Sequence, residues 1–213
     1  MKIKKIHIAS LLLLIFYTVG VFGILMPEVF EDFLSYTPFN LILTTVLLIW
    51  ANGNFSIKLI VLFASVFLIG FGVEVLGVKS GVLFGSYQYG ETLGMKLFEV
   101  PLTIGLNWFI LAFSTAAIGS SIFKNKLLRA LFAASLMTGL DVFIEPVAVQ
   151  LDFWSWDGGE IPFQNFAMWF IVAFAIQLVV NFLKPKLEPK IAYVVFGVQV
   201  VFFLILNLFL AGS

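Results

Sequence analysis

The chain has 213 residues, of which 62% are hydrophobic and only 11% are charged, and its mean hydropathy is +1.10. Soluble domains carry about 25% charged residues, so this composition excludes an ordinary soluble protein and indicates a multi-pass protein of the cell membrane, surrounded by lipid. Zero net charge gives no reason to expect nucleic acid as a partner, and the lack of cysteine excludes disulfides, thiolate nucleophiles and cysteine metal sites.

Apolar windows recur along the whole chain. A hydrocarbon core about 30 Å thick needs about 20 residues of helix, and seven windows approach that length. They lie at residues 8–25, 36–51, 57–76, 100–122, 127–149, 163–183 and 191–210. We therefore predict an all-α, polytopic helix bundle of seven transmembrane helices, with residues 1–213 forming a single transmembrane domain. The second window is the weakest, because it is short and contains Pro38 and Asn40.

The charges between these windows predict the orientation. Ten of the twelve basic residues fall on one side of the predicted membrane, and eight of the twelve acidic residues fall on the other. By the positive-inside rule, the N-terminus is cytoplasmic and the C-terminus is external. A cleaved signal peptide is the alternative for the first window, but no convincing small-x-small cleavage site follows it, so we expect an uncleaved helix.

Three carboxylates, Glu74, Asp141 and Glu145, lie inside the apolar windows. A charge at bilayer depth costs about 3 kcal/mol, so such residues usually line a functional cavity. With a rise of 1.5 Å per residue, all three fall about 18 to 24 Å above the cytoplasmic edge. Asn107 and Asn165, near the outer ends of descending helices, reach the same layer. A polar cluster in the outer half of the membrane is therefore predicted, against the alternative that each acid merely caps a helix or pairs with a lysine.

Two external segments combine glycines with aromatic residues. Residues 77–94 contain Tyr87 and Tyr89, and residues 153–166 contain Trp154 and Trp156. Glycine permits tight turns, and aromatic rings favour the membrane interface, so an ordinary aromatic belt is one explanation for these residues.

Four motifs in this region resemble the carotenoid-biosynthesis membrane protein family, which includes carotenoid 1,2-hydratases of the bisanhydrobacterioruberin hydratase type. They are GVKSGVLFGSYQYG, LFEVPLTIGLNWF, DVFIEPVA and FWSWDGGEIPFQNF, and the similarity spans about residues 70–170. The first two helices and the last match only in hydrophobicity. The resemblance implies a lipophilic carotenoid substrate and addition of water to a terminal double bond of an acyclic carotenoid.

This chemistry agrees with the residues that the chain offers. A protonated carboxyl group would protonate the alkene, and an ionised one would activate the water that captures the tertiary carbocation. We assign these catalytic roles to Glu74, Asp141 and Glu145, leaving open which is the acid. The expected substrate-binding residues are Asn107 and Asn165, which would hold the water, the aromatic Trp154 and Trp156, and, at an external mouth, Lys79, Tyr87 and Tyr89. No metal or redox cofactor is expected, because hydration changes no net oxidation state.

Two other functions stay open at this point. A lycopene-cyclase-like enzyme would begin with the same protonation but lose a proton instead of capturing water. A proton-coupled transporter would use the same carboxylates as a relay, although no inverted repeat or matching pair of broken helices is evident. The length of the carotenoid, the number of ends that react and the oligomeric state are not specified by the sequence.

Overall fold

The computed structural model describes residues 2–210, and helices make up most of that part of the chain. The helices are α1 Lys2–Leu25, α2 Phe30–Ser35, α3 Thr37–Asn52, α4 Ile57–Ser80, α5 Leu102–Ile122, α6 Lys126–Gln150, α7 Phe163–Leu183 and α8 Pro189–Leu210. The short strands are β1 Tyr87–Tyr89, β2 Lys96–Leu97, β3 Val100–Pro101 and β4 Trp154–Trp156. The predicted all-α membrane bundle is confirmed, and each of the seven apolar windows corresponds to one helix.

The helices differ in whether they are long enough to cross a bilayer. Within residues 2–210, six are long and apolar enough to span a membrane: α1, α4, α5, α6, α7 and α8. The second predicted span, α3, has 16 residues and a length of about 24 Å, which is less than a hydrocarbon core of about 30 Å. The prediction of seven full spans is therefore met by six helices, and α3 falls short. The cytoplasmic N-terminus and external C-terminus stay a prediction.

Helix α5 is the centre of the bundle. It is buried along nearly its whole length and contacts α3, α4, α6, α7 and α8. Lipid provides little hydrophobic drive for helices to associate, so small residues that permit close packing become important. Gly70 on α4 lies against Trp108 of α5, where an added Cβ would come within 2.4 Å of the indole ring. This close approach brings Trp108 next to Glu74, one turn further along α4.

The two segments rich in glycine and aromatic residues, 77–94 and 153–166, contain structure that the hydropathy pattern did not predict. Strand β1 pairs with β4 in antiparallel register, with Tyr87 opposite Trp156 and Tyr89 opposite Trp154. In both strands the two aromatic residues are buried and the residue between them, Gln88 or Ser155, is exposed. Strands β2 and β3 form a second small antiparallel pair, and α2 is a further short helix that was not predicted.

Hydrogen bonds around the β1–β4 pair join these two segments. The backbone N–H of Gly90 donates to the carbonyl of Phe153 at 3.0 Å, and the N–H of Asp157 donates to the carbonyl of Ser86 at 2.9 Å. The side chain of Gln164, at the start of α7, donates to the carbonyl of Leu83 at 2.9 Å. The two segments thus form one cap, and its aromatic side chains face the ends of α4 and α6.

Candidate active site

Glu74 accepts hydrogen bonds from three side chains. Its Oε2 accepts from the hydroxyl of Tyr87 at 2.6 Å and from the hydroxyl of Tyr89 at 2.8 Å. Its Oε1 accepts from the indole N–H of Trp108 at 3.1 Å. Glu74 itself is 3% exposed, so these donors replace the water that a carboxylate would otherwise bind. Strand β1 supplies both hydroxyls, because its two tyrosines lie on the same, inward face.

Glu145 has a second set of three donors. Its Oε2 accepts from the indole N–H of Trp154 at 2.9 Å and from that of Trp156 at 3.0 Å. Its Oε1 accepts from the side-chain amide of Asn165 at 2.5 Å. Strand β4 supplies two of the donors to Glu145, as strand β1 supplies two of the donors to Glu74. The β1–β4 pair therefore serves both carboxylates, with hydroxyls on one strand and indole N–H groups on the other.

Asp141 lies one helical turn before Glu145 on α6 and is fully buried. The amide of Asn165 faces both carboxyl groups, but its hydrogen bond goes to Glu145. Within residues 2–210, neither oxygen of Asp141 has a donor in hydrogen-bonding geometry. A bare carboxylate in such a place would be very costly, so this environment suits a neutral, protonated carboxyl group.

A small cavity separates Glu74 from Glu145. Its volume is about 20 Å³, and its lining includes both carboxylates, Asn107 and Asn165. Water bound in a cavity needs polar partners, and the two carboxylates and two side-chain amides of the lining can supply them. The cavity therefore has both room and partners for bound water.

A larger apolar groove adjoins the small cavity. Its volume is about 380 Å³, and three residues line both spaces: Ile104, Asn107 and Trp154. Phe16 and Phe39, on α1 and α3, line the groove and are 39% and 53% exposed. Because exposed apolar surfaces face lipid in a membrane bundle, the groove reaches the lipid-facing surface beside these two residues. The amide of Asn107, which makes no hydrogen bond within the described residues, lies between the groove and the carboxylates.

Tyr87 and Tyr89 do not lie where the sequence predicted. They do not line an external mouth, because each is only 8% exposed and its hydroxyl reaches Glu74. Burial, and then the negative charge of Glu74, raises the pKa of Tyr87 well above its usual range, and the same causes raise the pKa of Tyr89. Both side chains therefore remain O–H donors over the physiological pH range and do not act as phenolates.

Lys79 is outside the cluster. It is exposed near the end of α4, and its Nζ lies 4.9 Å from the centre of the Phe98 ring. Lys79 makes no ion pair with Glu74, so the alternative that this buried acid pairs with a lysine is wrong. Gln164, next to Asn165 at the start of α7, donates to the carbonyls of Val82 and Leu83 in the cap and is also outside the cluster.

Two tryptophans of the site were not predicted. Trp108 donates to Glu74, and its ring stacks on that of Trp169 with centroids 4.0 Å apart. Trp169 also lines the small cavity. The available signal was a tryptophan next to Asn107 in the motif LNWF, inside a membrane helix rather than in an interfacial loop. Among the described residues, no group of three or more His, Cys, Asp or Glu side chains has the arrangement of a metal site.

Comparisons with known proteins agree with the motifs. A family model described as carotenoid biosynthesis protein matches residues 36–212. A curated relative, bisanhydrobacterioruberin hydratase from Haloarcula japonica, is 27% identical over 123 residues. That match covers 54% of this chain and 42% of the relative, less than half of the relative's length. No solved structure matches the chain.

Proposed function

This chain belongs to the carotenoid biosynthesis protein family, and we propose that it hydrates the terminal carbon–carbon double bond of an acyclic carotenoid. Family membership makes it a carotenoid-modifying membrane enzyme and weighs against the transporter alternative. The similarity to a bisanhydrobacterioruberin hydratase supports hydration as the reaction. The product would be a tertiary alcohol, and the conjugated part of the polyene would be unchanged.

The observation that carries this proposal is the small polar cavity that both Glu74 and Glu145 line. Hydration needs an acid, a base and a single ordered water at the end of an apolar channel. The groove between α1 and α3 would admit the polyene from the lipid, with its terminal double bond reaching the small cavity past Ile104 and Asn107. A cyclisation site has no use for a polar, water-sized cavity beside the carboxylates, because a water bound there would trap the carbocation.

The chemistry of the donors supports a different role for each carboxylate. An indole N–H donates and cannot accept, so the two tryptophans at Glu145 favour the ionised form of that carboxylate. A hydroxyl both donates and accepts. Tyr87 or Tyr89 can therefore reverse its hydrogen bond when Glu74 carries a proton. We assign Glu74 as the acid and Glu145 as the base.

The proposed reaction has two steps, in which every proton given up by one group is accepted by another. Protonated Glu74 transfers its proton to the less substituted alkene carbon, which leaves a tertiary carbocation and an ionised Glu74. The water forms a bond to the cation while Glu145 accepts one of its protons, which gives the alcohol. A proton passing from Glu145 back to Glu74, through water or the tyrosine hydroxyls, restores the starting state.

Aromatic rings around the cavity would stabilise the intermediate. Trp154, Trp156 and Trp169 all line the small space. Tryptophan has the most favourable ring face for a nearby cation, with an interaction of about 2 kcal/mol or more when water is excluded. Asn107 would hold the water on the side that faces the substrate.

Expression in a bacterial host that makes lycopene, and in one that makes a longer acyclic carotenoid, tests the function. The pigments are analysed by chromatography and mass spectrometry. A gain of one water per modified end, with an unchanged visible spectrum, is expected. An isomer of unchanged mass would instead identify a cyclase, and no new pigment from either host, with the protein present in the membrane, would contradict both reactions.

A further inference from the structure

A second cavity lies at the other end of the bundle from the carboxylates, between the last turns of α5 and α7, the start of α6 and the segment that follows α7. Its volume is about 390 Å³. Its lining combines four basic side chains with polar and apolar ones: Lys126, Arg129, Lys184, Lys186, Ser120, Gln177, Asn181, Ala116, Val180, Pro185 and Leu187. The proposed hydration gives this cavity no role.

The four cations reach the cavity from two directions. Lys126 and Arg129 are three residues apart on α6 and so share one face of that helix. Lys184 and Lys186 lie in the segment just after α7, where Lys184 takes a left-handed conformation with a φ of 48°. No acid is among the described residues that line the cavity. Glu188, close by in the chain, is not part of the lining, and its Oε1 accepts from the backbone N–H of Lys190.

Arg129 has a buried side-chain donor without an acceptor among the described residues. Its Nη2 donates to the carbonyl of Lys124 at 3.1 Å. Its Nε is buried and has no acceptor among the described residues. A buried donor left without an acceptor costs about 1 to 3 kcal/mol, so an anion that accepts from it would remove a penalty as well as add an attraction. The planar guanidinium matches the oxygen geometry of phosphate especially well.

The positive-inside rule explains why basic residues collect in the loops of one side, but it does not require them to surround one cavity. Asn181 helps to bring the basic residues of α6 and of the segment after α7 to the same cavity. Its side-chain amide donates to the carbonyl of Lys126 at 2.9 Å and thereby joins the end of α7 to the start of α6. The apolar part of the lining, with Ala116, Val180 and Leu187, suits the glycerol and first acyl carbons of a lipid.

We propose that this cavity binds a phosphate-bearing anion, supplied by the headgroup of an anionic phospholipid. Basic pockets between transmembrane helices on the cytoplasmic side are suited to such headgroups. The bound lipid would hold the ends of α5, α6 and α7 together at the side of the bundle that lacks the β1–β4 cap. This site is independent of the hydration reaction.

Native mass spectrometry and thermal shift of the detergent-purified full chain test the proposal, with phosphatidylglycerol, phosphatidylcholine and inorganic phosphate as separate probes. The test variant is Lys184→Gln with Lys186→Gln, since both residues are exposed and outside the helices. The matched control is Lys58→Gln with Lys190→Gln, which removes two exposed charges that do not line the cavity. Arg129→Gln, the more invasive change, is a second test variant.

Each cation near an anionic lipid contributes about a fivefold factor in affinity, so the test variant should bind phosphatidylglycerol roughly 25-fold more weakly, and the control at most about threefold. Binding of inorganic phosphate alone, weakened by the same variant, would support the site and assign a free ion as the source. Equal weakening in test and control variants would overturn the proposal, as would equally tight binding of phosphatidylcholine.

Discussion

Glu74 and Glu145 are alike in burial and in the number of hydrogen bonds they accept, but they differ in the kind of donor. Glu74 is held by two hydroxyls and one indole, and Glu145 by two indoles and one amide. Hydroxyls can donate or accept, whereas indole N–H groups only donate. Two carboxylates in one layer of the membrane can thus favour different protonation states without any cation nearby.

The largest effect is expected for Glu145→Gln. The amide oxygen can still accept from the indoles of Trp154 and Trp156, but it is not basic enough to take a proton from the attacking water. We expect conversion to fall roughly 1,000-fold or more, since general acid–base groups contribute about 10² to 10⁴ in rate. Pigment conversion per amount of membrane-inserted protein is the measurement. Glu99→Gln, an exposed carboxyl-to-amide change, is the matched control and should be fully active.

Glu74→Gln comes next. The hydroxyls of Tyr87 and Tyr89 can accept from the new amide, so the protein should fold, but no proton can be delivered to the alkene. Conversion should fall by about 10² to 10³, within the usual range for an acid catalyst. Retention of full conversion in this variant, measured in the same assay, would remove Glu74 from the reaction.

A smaller loss is expected for the double variant Tyr87→Phe with Tyr89→Phe. Glu74 would keep the indole of Trp108 but lose both groups that can accept its proton. Conversion should fall about tenfold to 100-fold, the effect of losing one or two hydrogen bonds to a charged group. Gln88→Leu changes the exposed residue between them and is the control. Equal activity of the double variant and wild type would show that the two carboxylates do not differ in the way described.

Asp141→Asn should have the smallest effect. Asp141 has no hydrogen bond donor within the described residues and lines neither the small cavity nor the groove. A neutral carboxyl replaced by a neutral amide of the same shape should change conversion by about threefold at most, less than 1 kcal/mol in the barrier. A loss as large as that of Glu145→Gln would instead make Asp141 a reacting group.

The helices were predictable from the sequence because long apolar windows carry a strong signal; the window 163–183 coincides with α7. The three carboxylates stood out for the opposite reason, as charges within those windows. The β1–β4 pair was not predicted, because each strand has three residues and they pair across more than 60 residues of chain. The alternation in YQY and WSW was the signal for these strands.

The sequence alone also could not show which of the three acids have hydrogen-bond donors around them. Glu145 and Asp141 are one turn apart on α6, and only the packing of β4 and Asn165 gives three donors to one and none to the other. The contact between Trp108 and Glu74 depends similarly on the tight packing of α4 against α5 at Gly70.

Incorporation of deuterium from heavy water into the carotenoid tests most directly whether Glu74 is the acid and Glu145 the base. In heavy water, an acid that protonates the alkene reversibly places deuterium on the less substituted alkene carbon even when no water is added. Mass spectrometry of the recovered carotenoid should show this label with Glu145→Gln, which keeps the acid, and none with Glu74→Gln. Label with Glu74→Gln and none with Glu145→Gln would contradict the account and exchange the roles of the two carboxylates.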